Sequence, residues 1–171
     1  FIDAADVYDG GGYAYKDYWN FTSDGTPDKR VFPATSQSSP SRFWVLSSKE
    51  GGASNLTLRE FDDTAGGNNG AQTNLLTTSL VPVNAYATPP DGRQPGGATA
   101  IDNIDSRILQ CEYTGGKVFA TLTSAEADTT TGGNKSTIRA YRLQTVIGAA
   151  PTVEVDAGLS SNTYDYYYPG I

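Results

Sequence analysis

Three carboxylates at three-residue spacing, Asp3, Asp6 and Asp9, stand just before a Gly10-Gly11-Gly12 turn. Carboxylate oxygens are hard ligands, so three of them converging in one loop would suit Ca²⁺. The stretch lacks the alternate-residue ligands and closing Glu of an EF-hand loop, and solvated loop carboxylates are the commoner outcome of such a pattern. Directly after it come Tyr13, Tyr15, Tyr18, Trp19 and Phe21. The first of these alternate as the buried face of a strand would, which makes them core, yet Tyr13, Tyr15, Tyr18 and Trp19 would equally serve as a stacking platform for carbohydrate. The candidate sites are thus a carbohydrate-binding aromatic face and a Ca²⁺ site, with Ca²⁺ the one cofactor the residues suggest.

The residue types that are missing narrow the chemistry more sharply. The chain contains no His, so it cannot supply Ser-His-Asp, Cys-His or His-metal chemistry from its own side chains. The single cysteine, Cys111, sits in the middle of an apolar run and reads as a buried small hydrophobe, and one cysteine cannot form an intrachain disulfide. A net charge of −7 argues against nucleic acid as a partner, because phosphate binding needs clustered Lys and Arg. No stretch of about 18 apolar residues points to membrane insertion, and no charged-apolar-small signal pattern opens the sequence, so neither a membrane span nor a retained targeting peptide is expected in this segment. Three Asn-x-Ser/Thr triplets, at Asn20, Asn55 and Asn134, are about what chance gives in a chain this rich in Asn, Ser and Thr.

The elements that would position such groups are strands. From Ser106 to Asp156 four apolar runs rich in Val, Ile, Thr, Tyr and Phe are separated by Gly, Pro or Asn clusters: SRILQCEY, KVFATLTS, STIRAYRLQ and PTVEVD. Runs of that length and composition predict a four-stranded antiparallel meander. The Gly115-Gly116 pair predicts a two-residue hairpin, with Cys111 to Tyr113 facing residues 117 to 119. Earlier strands are expected at 41–48, 55–61 and 75–86, with a short VFPA strand before them. No window sustains a 3.6-residue apolar period, so no helix longer than about two turns is expected.

The two halves also match one another. Phe43 to Ser48 aligns with Phe119 to Ser124 at an offset of 76, and Leu58 to Phe61 aligns with Ile138 to Tyr141 at 80. A third match sets Ala87-Thr88-Pro89 against Tyr167-Tyr168-Pro169. This divides the chain into an aromatic and turn-rich segment over 1–40, a first β repeat over 41–97 and a second over 98–171 that ends on the start of a further strand. The fold class is all-β, built of antiparallel four-stranded meanders arranged as part of a β-propeller; the alternative is a two-sheet β-sandwich.

Pro89-Pro90, Gln94-Pro95, Asp105-Ser106-Arg107, Lys117-Val118-Phe119-Ala120, Arg139-Ala140-Tyr141 and the closing Tyr167-Tyr168-Pro169-Gly170-Ile171 resemble the blades of bacterial secreted β-propellers of the broad sialidase-like group, over residues 41–171. The resemblance implies an extracellular or cell-surface location and, in an active member, an arginine cluster, a Tyr nucleophile with a Glu partner and an Asp acid/base. Residues of those types are Arg42, Arg107 and Arg139, Tyr113 beside Glu112, and Asp105. Adjacent residues on a strand point to opposite faces, so Glu112 and Tyr113 cannot form that couple with each other, and no catalytic residue is assigned.

Two such units cannot close a ring, and the chain opens on Phe1, contains no Met and stops at Ile171 in a fresh aromatic run. The expected partners are therefore other protein chains or further blades of the same polypeptide, and glycans. The composition, acidic, nearly free of Cys and rich in Thr, Gly, Ala and Asn, favours a non-enzymatic extracellular structural or binding module of a cell-surface or particle-surface assembly. A carbohydrate-active propeller enzyme or glycan-binding domain is the alternative.

Overall fold

The computed structural model describes residues 22–23, 26–36, 42–49, 51–62, 74–94, 96, 99–147 and 149–170. The Asp3, Asp6 and Asp9 triplet, the Tyr13, Tyr15, Tyr18 and Trp19 cluster and Asn20 lie outside them. The described residues form ten strands and no α-helix. They are β1 (Thr22–Ser23), β2 (Thr26–Pro33), β3 (Thr35–Ser36), β4 (Arg42–Lys49), β5 (Gly52–Asp62), β6 (Asn74–Ala87), β7 (Ile108–Thr114), β8 (Lys117–Ala127), β9 (Asn134–Gln144) and β10 (Thr152–Leu159). The protein is all-β, as the strand-length apolar runs require.

Five strands make each of two sheets, in the orders β1-β2-β4-β5-β6 and β10-β9-β8-β7-β3. All pairings are antiparallel except that of β3 with β7. Strands consecutive in the chain are neighbours in the sheet over β4-β5-β6 and β7-β8-β9-β10, so both runs are meanders. The two-residue Gly115-Gly116 turn joins β7 to β8, with φ of +58° and +78°, a conformation that residues with a Cβ rarely take. Thr114 and Lys117 close it, and Cys111, Glu112 and Tyr113 face Ala120, Phe119 and Val118, one residue further along than expected.

Period-2 alternation decides what each sheet buries. Trp44, Leu46, Leu56, Leu58 and Val81 from the first sheet meet Ile108, Cys111, Val118, Ala120, Leu122, Tyr141 and Leu143 from the second in a single core. Two antiparallel sheets packed face to face over one core is the arrangement of a two-sheet sandwich and also that of neighbouring propeller blades. Ala34 is where the chain leaves the first sheet at β2 and enters the second as β3; its N–H donates to the carbonyl of Trp44 at 2.8 Å.

The matched runs Phe43–Ser48 and Phe119–Ser124 fall on β4 and β8 with the same facing: Trp44, Leu46 and Ser48, like Ala120, Leu122 and Ser124, are buried on the core side. The second match does not keep its facing. Leu46 pairs with Leu58, whereas Leu122 pairs with Arg139 rather than Ile138, so an offset of 80 sets core residues of β5 against outward residues of β9. A one-residue slip turns a strand over, and similar residue types conceal it. The third match sets the end of β6 against residues 167–169, which form no strand. Instead the 160–170 segment crosses the outer face of the second sheet as a strap. Its backbone bonds go to side chains and to one carbonyl: Tyr166 N–H to the Ser136 carbonyl, Ser136 hydroxyl to the Tyr166 carbonyl, and Tyr168 N–H to the Thr123 hydroxyl.

Candidate functional site

The strap ends at a corner where three loops meet, and Arg93 ties them. Arg93 belongs to the connection between β6 and β7, Asp128 to the turn between β8 and β9, and Asp165 to the strap. The guanidinium donates through Nη1 to Asp128 at 2.9 Å and through Nε and Nη2 to Asp165 at 2.8 and 3.2 Å, and the Arg93 N–H adds a fourth bond to Asp165 at 2.9 Å. A guanidinium fork suits this work because its donors are fixed in a plane.

Both carboxylates are fully engaged. The Thr130 N–H, then the Thr131 hydroxyl and N–H, and after them Arg93, hold the Asp128 carboxyl down at about 2. Burial pushes Asp165 up, but hydrogen bonds from the Arg93 side chain and backbone and from the Ser136 N–H outweigh it, leaving the carboxyl below its usual range. The bond to Asp165, with Asp128 behind it, raises the already high pKa of Arg93. None of the three is suited to exchanging a proton near neutrality.

Around this knot lies a groove of about 420 Å³ lined by Arg93, Gln94, Thr163, Tyr164, Asp165 and Tyr167. Tyr164 is 66 % exposed. Tyr167 lies across Gly92, where a Cβ would come to 3.0 Å from its ring, so any larger residue would push the ring aside by a few tenths of an ångström. Gly92 is fixed by paired backbone bonds to Ile101 at 2.7 and 2.9 Å. Tyr168 meets Tyr167 edge to face at 5.7 Å and donates its hydroxyl to the Asp102 carbonyl. On the same side of Gly92, Asn103 gives its amide to the Pro90 carbonyl at 2.7 Å, while its buried Oδ1 has no hydrogen-bond partner among the described residues.

The backbone here is strained. Ile104 and Tyr168 have φ of +63° and +51°, and no other described residue besides glycine is in that region. A β-branched residue with positive φ costs on the order of 1–3 kcal/mol and persists where the surroundings impose it. The Asp102 carboxylate accepting the Ile104 N–H at 2.7 Å and the Tyr168–Asp102 bond supply that constraint.

The residues singled out by type for sialidase-like chemistry are not brought together. Arg42 pairs with Glu60, Arg107 with Asp105, and Arg139 with Asp156, on separate parts of the two sheets. Tyr113 stacks in the core on Trp44, while Glu112 faces outward opposite Phe119. Cys111 is buried, and burial pushes its thiol up to about 12, so no thiolate is present near neutral pH. Among the described residues no group of three His, Cys, Asp or Glu is placed to hold a metal. Asn55 lies on β5 with its Oδ1 buried, whereas Asn134 opens β9 exposed.

The parts of this tyrosine corner are far apart in the chain, at 92–94, 102–104, 128 and 163–168, so no local pattern marks it as a whole. The legible signal was the clustering of Tyr164, Tyr166, Tyr167 and Tyr168 behind a turn-rich PPDGRQPGG stretch. No family model matches the chain, and no curated protein or solved structure is significantly similar to it.

Proposed function

We propose that the chain is a non-enzymatic binding module of an extracellular cell-surface or particle-surface assembly. One observation carries this reading: at the tyrosine corner the ionised groups are hydrogen-bonded to one another within the protein, and what remains for a ligand is ring surface, an amide and hydroxyls. Such groups recognise a ligand; they do not activate a nucleophile or shuttle a proton. A groove set in loops and held by a rigid β scaffold is where binding residues are usually found. The expected partners are glycans and the other chains or further blades of the assembly.

The test is to present the protein with surface polysaccharides and surface proteins, following retention and product formation in the same samples. Retention with unchanged ligand mass supports the module. Release of a shortened glycan would overturn it.

A further inference from the structure

Building on that reading, we infer that the groove bounded by Arg93, Gln94, Thr163, Tyr164 and Tyr167 is a binding site for an uncharged oligosaccharide. The argument begins with charge. Among the described residues the one cation in the groove, Arg93, already faces Asp128 and Asp165, so the cluster of three groups carries a net negative charge in a chain that is itself at −7. A sialylated or uronic-acid ligand would have to compete with two buried carboxylates for that guanidinium, which disfavours it.

The surfaces that remain fit a sugar. The Tyr164 ring stands out from the strap and the Tyr167 ring is fixed over Gly92, giving the groove two aromatic walls for the C–H face of a pyranose. Gln94 gives an amide N–H to the Thr99 carbonyl at 2.8 Å, keeping its carbonyl oxygen as an acceptor for a hydroxyl. Thr163, whose N–H is turned back to Ser161 at 3.0 Å, adds a hydroxyl that both donates and accepts. The groove, at about 420 Å³, is of the size that holds one or two sugar rings. It is also preformed, since Arg93 clamps its three loops and the Tyr168–Asp102 bond holds the strained backbone, so little ordering cost remains for binding.

The experiment uses the whole chain. Neutral gluco-, manno- and galacto-oligosaccharides and their sialylated or uronic-acid counterparts are titrated calorimetrically, and backbone amide shifts are mapped with the best binder. Tyr164→Ala and Tyr164→Phe are compared with the parent protein; residue 164 is exposed, so both should melt as the parent does. Expected are saturable binding of a neutral oligosaccharide, shifts concentrated at 92–94 and 163–168, an affinity loss of about tenfold or more in Tyr164→Ala, and near-parent affinity in Tyr164→Phe.

Absence of binding by any neutral sugar at millimolar concentration, preference for the anionic series, or binding untouched by Tyr164→Ala would each overturn the site. If the protein is retained by a surface protein and by no glycan, the sugar site falls while the module reading stands. If a neutral sugar binds at the groove and is cleaved, the site stands and the non-enzymatic reading falls.

Discussion

The ring of Tyr113 in β7 lies 4.0 Å from that of Trp44 in β4, tilted by 21°, so that one stacked pair joins the two sheets. Trp44 is 4 % exposed and belongs to the common core. Removing the indole leaves a large void between sheets that cannot collapse independently. Trp44→Ala is therefore expected to cost about 3–5 kcal/mol in chemical denaturation. A loss below about 1 kcal/mol would mean that the sheets do not depend on this contact.

On the other face of the first sheet, the Asp28 carboxylate accepts from Lys49 at 2.9 Å and from Arg59, and all three side chains are at most 6 % exposed. Removing one partner from a buried ionic cluster leaves the remaining charge uncompensated. Asp28→Ala should cost about 3–5 kcal/mol. The double change Asp28→Ala with Arg59→Met should recover part of that loss, and the equilibrium unfolding of the four proteins of this cycle measures it.

Stability against pH should be flat from about 5 to 8, because the chain has no His and no other ordinary side-chain pKa falls there. Asp128, held down at about 2, and Asp165, also lowered, contribute stability that is fully present above the ordinary carboxylate value of about 4. It is lost as pH falls through their folded values, so strap protection in hydrogen exchange should fall between about pH 4 and 2. Asp165→Asn should expose the strap at neutral pH and flatten that acid limb; an unchanged profile would show that the Arg93 knot does not hold it.

Cys111 should not react with an aromatic disulfide reagent in the folded protein, since it is 1 % exposed and its thiol is pushed up to about 12 by burial. One thiol should appear on unfolding. Rapid reaction of the native protein would place the residue at a surface.

At the β7-β8 turn, Gly115→Ala and Gly116→Ala should each cost about 1–2 kcal/mol, the penalty for an L side chain in the left-handed region. The hairpin register should survive, because Cys111 and Val118 would otherwise leave the core. Thermal unfolding gives the first quantity and amide chemical shifts the second.

The strands are legible in the order of the residues alone. Their alternation, their Val, Ile, Thr and aromatic content and their Gly and Pro boundaries placed β4 to β10 within a few residues, and the absence of His removed whole classes of chemistry. Those are local properties, written in consecutive residues. The matched runs show where local reading stops: Leu58–Phe61 and Ile138–Tyr141 look alike, yet the register of β9 on β8 turns the second run over, and register is set by the neighbouring strand. It took the packed sheets to carry the chain from one to the other at Ala34, to lay the closing tyrosines down as a strap instead of a strand, and to bring Arg93 against Asp128 and Asp165. Those pairings join residues 35 and 72 positions apart, and at such separations the sheet on which the loops rest, rather than spacing along the chain, determines which side chains meet.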